Sequence, residues 1–477
     1  MIQARNPQRS IYEELARNLM PDYRELIWED WMRKVDALLE DDDLVEMVRK
    51  ALGQRHPKSQ TRGRMGTPAE VVLRLMVLKH MKNWSYQAVE REVRANLVYR
   101  DFTRIGGGKV PDAKTMVRFG TALGPKVVRQ IHERVVGLAR EARVVSGRKM
   151  RVDTTVVETN IHYPTDSTLL GDAVRVLTRT MKRIQQETGN AGTRLRNRMR
   201  SVQHRLIEIA RSVQKRNEAA KTRREQSYQK LMATTRRVVA QAKVFIEEVT
   251  AGIKQAASPV RQAMVIALAE YLQHLRDLAQ RLLKQTRARI VEGNTHYQDK
   301  LLSIFEQQTE AIRKGKASKP TEFGKMVKIQ EAENQIITDY EVFQKRPADQ
   351  HLLMPSIQKH QQMFGRVPHL VAADAGFFSA TNERTAQQTG VAKIAIPNRK
   401  TRDPAKRKLQ HQRWFRRAQP WRVGCEGMIS VLKRRHGLFR CRYKGSHGMD
   451  RWVGLGVIAD NLIHIGKAIS TRSANRI

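Results

Sequence analysis

The stretch Lys149-Met150-Arg151-Val152-Asp153-Thr154-Thr155-Val156-Val157 decides the fold that we expect for this chain. It is rich in β-branched residues and partly alternates between apolar and polar side chains, a pattern that is typical of a strand. We expect Asp153 to end a strand that begins near Lys149. Helical patterns occupy the chain on both sides, so this stretch predicts the first strand of a sheet that continues far downstream.

The strands that could complete the sheet lie after residue 320. Residues 335–343, 368–374 and 391–397 are apolar or alternating runs that predict strands, and Asp374 ends the second of them. Strands flanked by helices predict a mixed α/β core. The helices that we expect in this part of the chain span about 382–388, 421–435 and 449–470.

Residues 1–145 predict a separate helical domain. Thr67-Pro68-Ala69-Glu70 has the form of a capping box with proline at the first helical position, and Ser85 and Asp112 can each cap a further helix. Lys114 and Arg118, exposed on the last of these helices, would suit a helix-turn-helix that binds DNA. A plain helical bundle that only dimerises is the alternative.

Residues 173–320 predict a long basic helical segment. Three series of apolar residues step by three and four, as in the seam of a coiled coil. The segment holds 31 Lys and Arg residues against 12 Asp and Glu residues. Such an excess favours an arm that grips DNA, whereas a coiled coil used only for dimer contacts is the alternative. The series are Leu195, Met199, Val202, Leu206, Ile209 and Val213; Val238, Ala242, Phe245 and Val249; and Val265, Leu268, Leu272 and Leu275.

The net charge of the whole chain points to a polyanionic partner. The 477 residues carry a formal charge of +42, which disfavours a compact state by self-repulsion unless a polyanion binds. No apolar run reaches the roughly 18 residues that a membrane span needs, and the first residues lack the apolar stretch of a signal peptide. Two cysteines are too few for a disulfide framework. We therefore expect a cytoplasmic protein whose leading partner is nucleic acid.

Three acids have the placement that phosphodiester chemistry requires. Asp153 and Asp374 follow apolar strand residues, and Glu426 shares one helical face with Arg422 and Lys433. Two hard cations can activate an attacking oxygen and stabilise a leaving one, and carboxylates are the ligands that such cations prefer. Each acid alone could equally be a turn, a helix cap or a surface ion pair.

Three segments resemble the bacterial insertion-sequence transposases of the DDE type. Residues 152–167 are similar to their first catalytic block, and Ala373-Asp374-Ala375-Gly376-Phe377 to their second. Arg422, Glu426 and Lys433 have the spacing of the family signature Y-x2-R-x3-E-x6-K, but Gln419 stands where the tyrosine belongs. Residues 436–456 also resemble this family, nearest to its ISNCY group.

The resemblance implies an α/β RNase H-like core of the retroviral-integrase type, formed by residues 146–172 and 321–477. The two aspartates would lie on neighbouring strands and the glutamate on a later helix, with the basic insertion between the second and third strands. All three acids would be catalytic and would hold two Mg²⁺ or Mn²⁺ ions. The residues expected to bind DNA phosphates are Arg422, Lys433, Arg434, Lys114 and Arg118.

The function implied is strand cleavage at the inverted-repeat ends of a transposon, followed by transfer of the 3′-hydroxyl into target DNA. The partner that the resemblance implies is double-stranded DNA, bound in the bacterial nucleoid, and paired ends imply a homodimer. The alternatives are a nuclease of the same fold that does not join DNA, and a domesticated DNA-binding protein without catalysis. Motifs of tyrosine recombinases, relaxase-type nucleases and zinc fingers are absent from the sequence.

Overall fold

The computed structural model describes residues 2–6, 28–54, 65–189, 191–214, 217–313, 320–398 and 401–474. By its contacts the chain divides into two compact units. The first unit comprises Met1–Asn160 and Ile312–Ile477, and the second comprises Ile161–Ala311. The second unit thus begins and ends earlier than the expected limits at residues 173 and 320. No helix in the described segments is long and apolar enough to cross a membrane.

In the described residues, six helices form the first part of the first unit. The last of them is broken at Gly124, whose φ of 65° lies in the left-handed region and which precedes Pro125. The six helices are α1 (Asp30–Leu38), α2 (Asp42–Gly53), α3 (Ala69–Met81), α4 (Tyr86–Ala95), α5 (Leu97–Phe102) and α6 (Ala113–Glu141).

Two of the three predicted helix caps in this region are confirmed. The side chain of Ser85 accepts a hydrogen bond from the amide of Ala88, and that of Asp112 accepts one from Thr115. The capping box at Thr67 is wrong, because α3 begins after Pro68 without a side-chain cap. Its first amides donate instead to the carbonyl oxygens of residues 3 and 4, so a backbone segment from the chain start takes the place of the cap.

A mixed sheet forms the centre of the first unit. Strand β1 pairs antiparallel with β3 and parallel with β5, while β4 and β2 lie beyond β3, and β6 pairs parallel with β5. The order β4-β3-β1-β5-β6 therefore places β1 in the middle. The strands are β1 (Lys149–Glu158), β2 (Glu310–Ile312), β3 (Glu322–Glu331), β4 (Ile337–Val342), β5 (Leu370–Ala373) and β6 (Lys393–Ala395).

Two details of the sheet differ from the sequence prediction. Strand β1 continues to Glu158, so Asp153 lies within it and does not end it. Strand β3 was not predicted, because charged residues interrupt its apolar pattern. Lys328 of β3 is buried all the same, since Asp339 and Glu341 on β4 accept its ammonium group at 3.0 and 3.1 Å. A buried charge is tolerated where such partners are close.

Helices cover both faces of the sheet. On one face α11 (Leu353–Phe364) and α12 (Ala380–Gln388) pack against apolar side chains of β1 and β5. On the other face lie α14 (Arg413–Arg435), which follows α13 (Pro404–His411), and α15 (Gly445–Ala474). Helix α15 also joins the core of α1–α6, so the expected N-terminal domain and the end of the chain share one apolar core.

The second unit is helical and has a core of its own. The core buries most members of the three predicted series, although Leu195 lies before the helix that begins at Met199 and Val213 is exposed. The helices are α7 (Asp166–Thr188), α8 (Met199–Val213), α9 (Glu218–Thr250) and α10 (Pro259–Ile290). Only β1 precedes this unit among the described strands, so the prediction that it separates the second and third strands is wrong.

Truncation of Phe245 should destabilise the second unit selectively. Phe245 is fully buried in α9, and Phe→Ala changes in such cores cost about 3–5 kcal/mol because a cavity remains. We therefore expect Phe245→Ala to unfold part of the chain at lower urea concentration than wild type. Val244→Ala is the matched control, since Val244 is exposed on the same helix. Equal effects of the two changes would contradict the assignment of this core.

Candidate active site

Strand β1 carries Asp153 on the sheet face that α14 covers. Met150 and Val152 point to the other face, where they pack in the core beneath α11. Arg151 points toward α14 and donates a hydrogen bond to the carbonyl oxygen of Trp421. Because side chains alternate along a strand, Asp153 shares the face of Arg151. One carboxylate oxygen of Asp153 accepts the amide of Thr154 at 2.7 Å.

The register of β1 and β5 brings Asp374 beside Asp153. Val152 on β1 is opposite Ala373 on β5, and Asp153 and Asp374 are the residues that follow them. The backbones of neighbouring strands lie about 4.8 Å apart. Ala372 packs in the core beneath α14 and Ala373 in the core beneath α11. The backbone at Asp374 is still extended, with φ −65° and ψ 160°. The alternation therefore continues, and the side chain of Asp374 is on the same face as that of Ala372, the face that α14 covers. The two aspartates therefore neighbour each other on one face.

The loop that carries Asp374 is held by local hydrogen bonds. Asp374 caps the 3₁₀ turn Ala375–Phe377 by accepting the amide of Gly376 at 3.4 Å. Asp349, in the turn Asp349–Leu352, accepts a hydrogen bond from the hydroxyl of Thr154 at 3.2 Å. The carboxylate of Asp349 also lies close to Gly376, since a Cβ added to this glycine would be 3.3 Å from it. Asp349 thus connects β1 with the Asp374 loop. Sequence reasoning missed it, because no motif marks it and only the fold brings it here.

Glu426 lies on the helix that covers this face, but its carboxylate has another partner. Helix α14 runs alongside β1, since Trp421 contacts Arg151 near the strand's beginning and Lys433 lies 4.0 Å from Glu322 near the strand's other end. Glu426 is about half exposed and accepts a hydrogen bond from Nη1 of Arg422 at 3.0 Å. Its carboxylate is therefore engaged on the helix surface.

The carboxylates fit a divalent cation only in part. Two neighbouring aspartates are the oxygen donors that a hard cation prefers, and without a cation they repel each other. Across the described ranges, however, no group of three or more His, Cys, Asp or Glu side chains lies close enough to hold a metal ion. The register of β1 and β5 places Asp153 and Asp374 next to each other along the sheet, whereas Glu426 pairs with Arg422.

A buried ion pair lies between β1 and α14. Arg151 and Glu331 of β3 are 2.5 Å apart and almost fully buried. Burial raises the pKa of Glu331, an effect that Arg151 opposes. Burial also raises the pKa of the Cys425 thiol well above its usual value, and the negative charges of Glu331 and Asp153 add to this. Cys425 is therefore a protonated packing residue that adjoins Asp153.

The residues predicted to contact phosphates are not equally accessible. Lys114 and Arg118 are exposed on α6, and Arg434 is exposed on α14. Lys433 is largely buried beside Glu322, so it is less accessible than its helical position indicated. Gln419, which stands in place of the signature tyrosine, donates a 3.4 Å hydrogen bond to the carbonyl of Ala395 on β6.

Two segments of the first unit match known protein families. Residues 22–122 match the family described as Transposase domain (DUF772), and residues 381–465 match the family described as Transposase DDE domain. Glu426 lies inside the second match, whereas Asp153 and Asp374 lie outside both. A search of curated proteins and a search of solved structures found no match.

Proposed function

We propose that this chain is a DDE transposase of the insertion-sequence type that cuts and joins DNA strands at the ends of its element. The matches of two of its segments to transposase families support this proposal. One observation carries the proposal. Asp153 and Asp374 neighbour each other on a single sheet face, beneath the helix that carries Glu426. We propose these three acids as the catalytic residues.

The sheet supports an RNase H-like core. Three antiparallel strands, β4, β3 and β1, continue into two strands parallel to β1, and helices lie on both faces. We propose that this core is one functional domain interrupted after β1 by the second unit. The interruption explains why the segments that carry the two aspartates are so far apart in the sequence.

The metal site that we propose assembles in two parts. Asp153 and Asp374 would hold cations directly, and Glu426 would join them after its carboxylate leaves Arg422. Two Mg²⁺ or Mn²⁺ ions held there would stabilise charge on the attacking and leaving oxygens of a phosphodiester. Guanidinium groups bind phosphate strongly, so the DNA backbone would compete for Arg422 and release Glu426. DNA binding would in this way complete the site.

The remaining contacts with DNA are proposed from charge and exposure. Arg434, Lys114 and Arg118 are exposed and would neutralise phosphates, and Lys433 would do so only after separation from Glu322. The second unit holds 27 Lys and Arg residues against 14 Asp and Glu residues, and we propose that it grips DNA. Because two transposon ends must be paired, we also propose a homodimer.

The experiment is a cleavage and joining assay with Mg²⁺ and DNA that carries the terminal inverted repeats of the element. We expect cut ends and strand-transfer products. Cut ends without transfer products would favour the nuclease alternative, and binding without either product would favour a domesticated DNA-binding protein.

Glu426→Gln should lower cleavage by about a hundredfold or more, since about 3 kcal/mol of charge stabilisation is lost with a carboxylate ligand. Glu383→Gln is the matched control, because Glu383 also forms an ion pair in the same region, with Lys406 at 2.7 Å. Product yields are measured by gel electrophoresis of labelled DNA. A Glu426→Gln variant that cuts or joins as wild type would remove Glu426 from the proposed metal ligands.

A further inference from the structure

Arg151 makes more contacts between β1 and α14 than its place in a strand requires. Its Nε and Nη2 both donate to one carboxylate oxygen of Glu331, and its Nη1 donates to the carbonyl oxygen of Trp421 on α14. Its guanidinium carbon also lies 5.2 Å from the centre of the Trp421 ring. One buried side chain thus joins β3, β1 and α14.

Gly424 is the residue that lets the guanidinium approach the helix so closely. A Cβ at this position would collide with Nη1 of Arg151 and would lie 3.2 Å from its Cζ. Any other residue at 424 would therefore force the arginine or the helix to move. Gly427, one turn further along α14, has open space at its Cβ position. Only the first of these two glycines is required by packing against β1.

These contacts flank the proposed catalytic acids. Arg151 is two residues before Asp153 on the same face, and Trp421 is five residues before Glu426 on the same helix. A well-packed apolar pair would hold β1 and α14 together at no greater cost than a buried ion pair. The planar guanidinium of an arginine, in contrast, has donors in fixed directions. It therefore sets both how far the helix backbone lies from the strand and where along its axis the helix is held.

We propose that Arg151, held by Glu331, is a positioning residue that sets the place of α14, and hence of Glu426, relative to Asp153 and Asp374. The inference rests on the proposed function, because it assumes that the three acids act together. Arg151 itself need not touch DNA or metal. Its effect is on how readily Glu426 can reach the two aspartates.

The test compares Gly424→Ala with Gly427→Ala in the full-length protein. Binding of Mn²⁺ to the protein with a DNA duplex bound, corrected for the ions that the duplex alone takes up, is followed by electron paramagnetic resonance of the free ion. Nicking of supercoiled plasmid DNA is followed over a range of Mg²⁺ concentrations. We expect Gly424→Ala to weaken Mn²⁺ binding and raise the Mg²⁺ requirement about tenfold, as for other residues that orient metal ligands. Saturating Mg²⁺ should restore most of the nicking. Gly427→Ala should behave as wild type.

A second variant keeps the proposal testable if Gly424→Ala does not fold. Arg151→Lys retains the charge but loses the planar fork, so we expect the same rise in Mg²⁺ requirement and no rescue by the conservative change. Equal Mn²⁺ affinity in Gly424→Ala, Gly427→Ala and wild type would overturn the positioning role.

Glu426→Gln separates this failure from failure of the proposed function. If Glu426→Gln weakens Mn²⁺ binding and Gly424→Ala does not, only the role of Arg151 is wrong. If Glu426→Gln binds Mn²⁺ as wild type, the proposed ligand set is wrong, and the inference falls with it.

Discussion

Replacing Asp374 by asparagine should reduce DNA cleavage by about a thousandfold or more, while the protein stays folded. Loss of one carboxylate from a pair that holds divalent cations removes several kcal/mol of transition-state stabilisation, and each 1.4 kcal/mol is about tenfold in rate. The fold should tolerate the change, because Asp374 also caps a 3₁₀ turn and asparagine caps as well as aspartate. Single-turnover cleavage of labelled DNA, with circular dichroism of the same sample, measures both effects.

Asp403→Asn is the matched control for this prediction. Asp403 caps α13 by accepting the amide of Ala405 at 2.8 Å, so it has the capping role of Asp374 without a neighbouring aspartate on β1. We expect wild-type cleavage from this variant. If Asp374→Asn cleaves as fast as Asp403→Asn, Asp374 is only a cap, and the pair with Asp153 has no catalytic role.

Removal of the second unit should weaken DNA binding about a hundredfold at physiological salt. In this variant a flexible linker of about six Gly and Ser residues replaces residues 161–309, so that β2 (Glu310–Ile312) is kept. The unit has a net excess of Lys and Arg, and each lost phosphate contact lowers the slope of log K against log salt by about 0.9. We therefore expect the slope to fall by about 3 to 4. Fluorescence anisotropy with a DNA duplex over a series of salt concentrations measures both quantities.

The isolated second unit provides the complementary measurement. Its apolar core contains only its own residues, so residues 161–311 can be prepared alone. We expect this fragment to bind duplex DNA with a steep salt dependence. If the shortened chain binds DNA as wild type and the isolated unit forms dimers without binding DNA, the helices are a dimerisation coil.

Local sequence patterns predicted the elements whose determinants are local. The apolar series of the second unit, the caps at Ser85 and Asp112, and the strand before Asp374 each depend on residues within a few positions of one another. The structure confirms these elements. The family signature directed attention to Glu426 in the same way, because its spacing along one helix is local.

Strand β3 shows where local patterns are insufficient. Its lysines break the apolar alternation that identifies a strand, and Lys328 can be buried only because Asp339 and Glu341 lie on the neighbouring strand. The same holds for Thr67, whose capping role is replaced by a backbone segment from the chain start. In both cases the partner is set by the fold.

The sequence by itself determined that this chain is basic, helical at its start and middle, α/β toward its end, and similar to transposases in four segments. The tertiary structure alone decided that Asp349 accepts a hydrogen bond from Thr154 of β1, that Lys328 is buried beside Asp339, and that Arg151 contacts both Glu331 and Trp421. Arg151 and Glu331 are 180 residues apart. A periodic pattern records which face of an element is buried, but it carries no information about which distant group meets that face.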